Sequence, residues 1–299
     1  MRFTTTAIAA FAAAPALVSA LDLRLITYNI RQATNRPGRN EKHWNDRRPL
    51  VTTQLNIEAN EDTLMCFQEV FDHVLEDLKT DLGEKWDSVG VGRDDGKTRG
   101  EFSPIFYRKD VWTVDSKKTY WLSPTPNRPS RGWDAGHNRI VTVAEFTHKD
   151  SGEQLAFLCT HFEWSGKRAQ AESAKMMLDF IDDFGDKPVF VAGDLNSQPN
   201  DKPYQTMTKE LTDFRTWAET YQSPLSRPHM ETSLKSDADI LTFTGFTEEE
   251  ESMLLDYIFI KDKDMVSNPS YSVPTNLFDG VYSSDHRPVV VDVTIGENF

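Results

Sequence analysis

Cysteine is almost missing from this sequence: Cys66 and Cys159 are the only two in 299 residues. A disulfide-dense small scaffold and a cysteine-built zinc centre are therefore excluded. Each cysteine sits in an apolar, strand-like run, Leu64 to Phe67 and Phe157 to Thr160. The expectation is two buried free thiols rather than a bridge. Positive charge is also short, with 33 Lys plus Arg against 47 Asp plus Glu and a formal charge of −14. Tight binding along a long nucleic-acid duplex, which draws on many basic contacts and the counterions they release, is disfavoured. An anionic substrate must be met by local positive groups. Beyond residue 20, no apolar run approaches the roughly 20 residues that span a bilayer. There is no Walker-type phosphate loop, no Gly-x-Ser-x-Gly elbow, no fixed-period repeat and no glycosylation acceptor, Asn268-Pro269-Ser270 being blocked by its proline.

What is present is a globular composition: 38% hydrophobic, 27% charged, with 15 Gly and 15 Pro. Residues 1–20 combine Arg2, an apolar run from Ala7 to Val18 and a small-residue ending Val18-Ser19-Ala20. That is the pattern of a secretory signal peptide, and it predicts an extracellular protein. Without it the chain keeps 32 basic residues against 47 acidic ones, a formal charge of −15. No Ser/Gly/Pro linker divides residues 21–299, which predicts one domain and a monomer. The four glutamates Glu248 to Glu251 are expected in a solvated loop.

Apolar patterning predicts strands over 23–30, 62–70, 100–108, 111–122, 140–146, 155–161, 188–192, 254–260 and 289–295. Helices are predicted over 44–59, 70–82 and 165–184. In the second, Val74, Leu75 and Leu78 form the apolar stripe. In the third, Ala169, Ser173, Met176, Met177, Phe180, Ile181 and Phe184 do so, with Ser165 as the expected cap.

Several strands end abruptly in groups that bind metal or carry protons. Thr27-Tyr28 leads to Asn29, Phe67-Gln68 to Glu69, Cys159-Thr160 to His161, and Ala192-Gly193 to Asp194-Leu195-Asn196. Asp256 opens the run to Ile260, and Asp285-His286 precedes Val289. A lone carboxylate at a strand end is usually a solvated terminus; six such endings together point to a site at one edge of an α/β sheet. Oxygen ligands without thiolate suit Mg²⁺ or Mn²⁺ and substrate phosphate oxygens. The chemistry indicated is hydrolysis at phosphorus, with His161 and His286 stabilising charge and moving protons.

The ordered motifs Thr27-Tyr28-Asn29-Ile30, Gln68-Glu69-Val70, Thr160-His161-Phe162, Gly193-Asp194-Leu195-Asn196-Ser197, Asp256-Tyr257-Ile258 and Ser284-Asp285-His286-Arg287-Pro288 resemble the endonuclease/exonuclease/phosphatase superfamily. Val91 to Gly96, Ile105 to Asp110 and Gly132 to Ala135 are similar to an uncharacterised, mostly microbial branch distantly related to the poly(A) deadenylases. The resemblance implies a four-layer α/β/β/α sandwich of two mixed sheets flanked by helices. It implies Glu69, Asn29 and Asp285 as metal ligands, and His286 as the group that takes the attacking water's proton, oriented by Asp256. Asp194 and Asn196 would position nucleophile and phosphate, and His161 would stabilise the transition state.

For the substrate, the loop after Asn29 carries Arg31, Arg36, Arg39, Lys42, Arg47 and Arg48, and the segment before Ile140 carries Arg128, Arg131, His137 and Arg139. They suggest a basic rim, with Arg36, Arg39, Arg139 and Tyr107 as substrate-binding residues. Trp121, Trp133 and Trp164 are candidate stacking platforms. The expected function is a secreted phosphodiesterase or nuclease acting on single-stranded RNA or DNA. The alternatives are a phosphatase of a small phosphorylated sugar or polyol, or a non-catalytic binding protein that keeps the fold. With no exposed aromatic hairpin in the sequence, membrane insertion is not expected.

Overall fold

The computed structural model describes residues 20–221, 240–247 and 252–296. Residues 1–19 of the expected signal peptide and the Glu248–Glu251 run lie outside them. The first half of the chain forms β1 (Leu21–Asn29), α1 (Trp44–Glu58), β2 (Leu64–Gln68), α2 (Asp72–Leu82), β3 (Trp86–Val89), β4 (Ile105–Arg108) and β5 (Trp112–Trp121). There follow β6 (Ile140–His148), β7 (Gln154–His161), α3 (Lys167–Ile181), β8 (Val189–Asp194), α4 (Lys202–Met207), β9 (Thr212–Asp213) and α5 (Phe214–Thr220). The C-terminal part supplies β10 (Asp256–Ile260), β11 (Val266–Ser272), the hairpin β12 (Leu277–Phe278) and β13 (Val281–Tyr282), and β14 (Val289–Ile295).

Two six-stranded mixed sheets result, ordered β11-β14-β1-β2-β4-β3 and β5-β6-β7-β8-β10-β9. Alternation along each strand builds three apolar layers. Leu23, Leu25, Cys66, Ile105, Phe157, Cys159, Phe190 and Ile258 fill the space between the sheets. Ile26, Met65 and Phe67 face outward onto Val51, Leu55, Val74 and Leu78 of α1 and α2. Leu158, Val191 and Tyr257 face outward onto Ala174 and Met177 of α3 and Tyr204 and Met207 of α4. This is the expected four-layer α/β/β/α sandwich. Among the described residues, no helix is long and apolar enough to cross a membrane.

Three expectations need correction. Cys66 and Cys159 form a disulfide, their Cα atoms 5.3 Å apart. Both cysteines point into the layer between the sheets from facing strands, β2 and β7, a proximity that neither apolar run could reveal. Ser165 does not cap α3: its Oγ donates to Glu163 Oε1 (3.1 Å). Asp134, from a distant loop, instead accepts the helix-start N–H groups of Arg168 (3.2 Å) and Ala169 (2.7 Å). Finally, β11 was absent from the expected strands because Asn268-Pro269 interrupts it. It is an edge strand with a register shift between Ser267 and Ser270, a place where a sheet tolerates proline.

Topology gathers the strand endings. β1 and β2 are parallel with Asn29 opposite Gln68, so Glu69 emerges beside Asn29. β14 runs antiparallel to β1 with Val289 opposite Thr27, so Asp285 and His286 lie just beyond the end of β1. In the second sheet His161 pairs with Asp194, and antiparallel Asp256 pairs with the same Asp194. All six endings meet at one edge of the sandwich.

Candidate active site

At that edge the two sheets are stitched together by polar side chains. Asn29 Nδ2 donates across the sandwich to Asp194 Oδ2 (3.0 Å) and also to Glu69 Oε1 (3.2 Å). Asp194 Oδ1 accepts the backbone N–H of Asn196 at 2.7 Å. His286 Nδ1 donates to Asp256 Oδ2 at 2.8 Å, and its Nε2 faces Asp194 Oδ2 at 3.7 Å. On the other side of Asp194, His161 Nε2 lies 3.5 Å from Oδ2. Asn196 Nδ2 donates to that nitrogen at 3.1 Å, which puts the imidazole hydrogen on Nδ1. Asp194 thus stands between two histidines.

Local backbone geometry serves this convergence. Glu69 (φ 62°), Asn196 (φ 46°) and Arg31 (φ 57°) all adopt the left-handed conformation that non-glycine residues avoid. Such strain collects where a side chain must be aimed. Gly193 brings β8 so close to β7 that a Cβ there would sit 2.0 Å from Thr160 O. No other residue fits immediately before Asp194.

The two histidines have opposite electrostatics. Burial works against charge on His286, but Asp256 in contact, then Asp194 and Asp285, outweigh it and raise its pKa to about 10. Burial pushes His161 well below the ordinary histidine value, and the guanidinium groups of Arg139 and Arg93 push it further. Burial also raises the Asp194 carboxyl, with repulsion from Asp256 adding to it. Asp285 is likewise raised, first by burial.

These groups open onto a cavity of about 350 Å³ walled by Glu69, Asp194, Asn196, His161, Asp285 and His286 together with Arg31, Gln32, Arg93, Glu101, His137, Arg139, Trp164 and Phe243. Asp256 is fully buried and outside this wall, so it serves the His286 ring from behind. Glu69 and Asp285 both stand in this wall, Glu69 accepting from Asn29 Nδ2 and from the Gln32 N–H. The Arg31 guanidinium already lies 3.8 Å from a carboxylate oxygen of each, a positive group held between two acids. Asp194, Asp256 and His286 form a second compact donor group, with ligand atoms within 4.8 Å of one another. Both sets are oxygen and imidazole, and both cysteines are committed to the disulfide. The residues therefore fit a hard dication.

All eight expected metal-binding and catalytic residues come together here. The expected substrate residues divide. Arg139 lies in the wall, buried, its Nε donating to the fully buried Glu163 at 3.3 Å. Arg36 and Arg39 are exposed and outside it. Tyr107 is a core residue between the sheets, its ring against Phe146 at 5.5 Å. It lies toward the far end of the sheet, because β4 runs antiparallel to β2. The rim also sorts itself. Arg47 is fully buried and donates to the carbonyls of Ile30, Arg31 and Ser283, and Arg48 bridges to Asp77 and Asp81 on α2. Both are structural. Trp121 is buried with its Nε1 donating to Arg93 O (2.7 Å), and Trp133 is outside the wall. Sequence reasoning passed over Arg93 and Glu101, an ion pair at 2.7 Å within the Gly92–Glu101 turn. The signal was a pair of opposite charges flanking a glycine-rich turn of the branch-like segment.

The family described as Endonuclease/Exonuclease/phosphatase family matches residues 26–286. A solved endonuclease/exonuclease/phosphatase family protein of Bacteroides thetaiotaomicron superposes with a TM-score of 0.81 at 29% identity, covering 93% of this chain and 99% of that one. The mannosyl-6-phosphatase of the same organism superposes with a TM-score of 0.78 at 29% identity, covering 91% and 99%. Nocturnin of Drosophila melanogaster is 23% identical over 309 residues, 91% of this chain but 46% of that protein.

Proposed function

The chain belongs to the endonuclease/exonuclease/phosphatase family, whose members hydrolyse phosphoric esters, and on that premise we propose a secreted, divalent-metal-dependent phosphatase of a small phosphorylated sugar. The observation that carries this reading is the cavity. Its volume of about 350 Å³ is near the lower end for small-molecule sites, and Arg31, Arg93 and Arg139 all stand in its wall. That suits one doubly charged terminal phosphate with a compact leaving group. The likeness to a mannosyl-6-phosphatase at 29% identity supports the same choice.

Glu69 and Asp285, with the amide oxygen of Asn29, would hold Mg²⁺ or Mn²⁺. When bound, that ion supplies Lewis-acid stabilisation of charge on the phosphate. The other roles belong to the chain. His286, its ring held by Asp256, would donate Nε2–H to the phosphate or leaving-group oxygen. Asp194, in the cavity wall beside His286, would take the proton of the attacking water. Asn196 orients Asp194 through its backbone N–H, and His161 walls the cavity beside Asp194 without adding a charge.

The test is release of inorganic phosphate from mannose 6-phosphate and other sugar phosphates, set against oligonucleotides, with Mg²⁺, Mn²⁺ or EDTA. Metal-dependent release from sugar phosphates is expected. Activity confined to oligonucleotides, or persisting in EDTA, would overturn the reading. A phosphodiester of single-stranded nucleic acid is the second reading, favoured by the exposed indole of Trp164 in the cavity wall, on which a base would stack. Secretion rests on the signal-peptide pattern of residues 1–20, and the Cys66–Cys159 disulfide, of a kind that persists in oxidising compartments, supports it. N-terminal sequencing of protein from the culture medium should begin at Leu21, and a start at Met1 would contradict cleavage.

A further inference from the structure

Two large apolar side chains stand out as exposed among the described residues, Ile57 at 69% and Trp164 at 65%. Ile57 lies on α1 and touches no cavity wall named above, whereas Trp164 belongs to the catalytic cavity. An exposed indole beside a reaction centre leaves a large apolar face in water, and a ligand that covered it would remove that cost.

The backbone beneath Trp164 is rigidly built. The carboxylate of its neighbour Glu163 is fully buried and takes five donors from two loops: the N–H groups of Gly136 (3.2 Å), His137 (3.4 Å) and Ser165 (3.2 Å), Ser165 Oγ (3.1 Å) and Arg139 Nε (3.3 Å). The Glu163 carbonyl accepts Gln170 Nε2 at 2.6 Å from α3. The indole is therefore free, but the chain that carries it is not. The same carboxylate that fixes Arg139 in the cavity wall also fixes the backbone on either side of Trp164. Distance between an arginine for phosphate and an aromatic face for the leaving group is thus set by one buried residue.

We infer that Trp164 is a specificity residue, a platform that stacks against the ring face of the sugar leaving group, so that the enzyme prefers cyclic sugar phosphates over acyclic polyol phosphates. This rests on the sugar-phosphatase reading. A pyranose presents a row of C–H groups to an aromatic face and keeps its hydroxyls at the rim for water and polar side chains. An acyclic chain offers no such face.

The experiment measures kcat/KM for mannose 6-phosphate over that for glycerol 2-phosphate in the wild type, Trp164→Ala, Trp164→Phe and, as a surface control, Ile57→Ala. The ratio should fall about tenfold in Trp164→Ala, recover most of that in Trp164→Phe and keep its wild-type value in Ile57→Ala. A ratio in Trp164→Ala within about twofold of wild type overturns the inference, as does a loss seen only with an oligonucleotide substrate, which would assign the platform to a base. Should the wild type hydrolyse neither ester, the phosphatase reading fails by itself. Indole fluorescence then decides the platform: mannose 6-phosphate quenching wild type but not Trp164→Phe supports it, and equal or absent quenching overturns it.

Discussion

His161, the last residue of β7, and His286, just before β14, stand on opposite sides of Asp194, and both are buried to within a few per cent. Burial alone would lower both. They diverge because of what lies against them. His286 has the carboxylate of Asp256 at 2.8 Å, and the other oxygen of that acid, Oδ1, has no hydrogen-bond partner among the described residues. His161 has Asp194 at 3.5 Å and Glu101 at 3.8 Å, but Glu101 is committed to Arg93 at 2.7 Å, and burial with the guanidinium groups of Arg139 and Arg93 holds the ring's pKa down. One imidazole is thereby held charged and the other neutral at a single phosphate-sized site. Position on the fold makes a histidine available; the charge state follows from the partner's own commitments.

The comparison can be broken or sharpened in four steps. His286→Ala removes the charged member and should lower kcat by about 10³-fold, measured as phosphate release at saturating substrate; a loss below about tenfold would show that the proton is carried elsewhere. Removing the disulfide with Cys66→Ala and Cys159→Ala unties β2, which leads to Glu69, from β7, which ends in His161. With the two cysteines 93 positions apart, the cost should be about 4 kcal/mol by urea denaturation. A cost under about 1 kcal/mol would deny the bridge its structural role.

Asp256→Asn keeps the hydrogen-bonding shape but removes the charge, and should lower kcat by about 10²-fold. It also carries a pH signature. His286 has a raised pKa in the folded protein, so its stabilisation is fully present below the ordinary histidine value of 6.5 and is lost as pH rises from there through about 10. Denaturation midpoints in EDTA should fall over that window in the wild type and fall less in Asp256→Asn. Parallel curves would contradict the assignment. The smallest effect is expected for Arg139→Met, which should let the His161 pKa climb back toward 6.5, seen in its imidazole NMR shifts; an unmoved value would deny Arg139 its part.

Much of this was legible in the chain itself. Leu21–Asn29, Leu64–Gln68, Gln154–His161 and Val189–Asp194 carry continuous apolar runs whose polar endings stand out, and buried strands of a sandwich demand such runs. Glu101 was not legible, because it lies between a turn and Pro104, ahead of the short strand β4, with no apolar run to mark an ending. The arginines after Asn29 look alike in sequence. Only the fold separates Arg31 in the wall, the buried Arg47, and the exposed Arg36 and Arg39 outside it. The disulfide is a fact of tertiary distance, invisible to either local pattern.

The most direct test of the divided histidines is a ¹⁵N-imidazole NMR titration of the metal-free protein, with His161→Gln and His286→Gln assigning the signals. The account predicts that His286 remains an imidazolium through neutral pH and titrates near 10, while His161 stays neutral across the same range. Two histidines titrating together near 6.5, or in the reverse order, would contradict it.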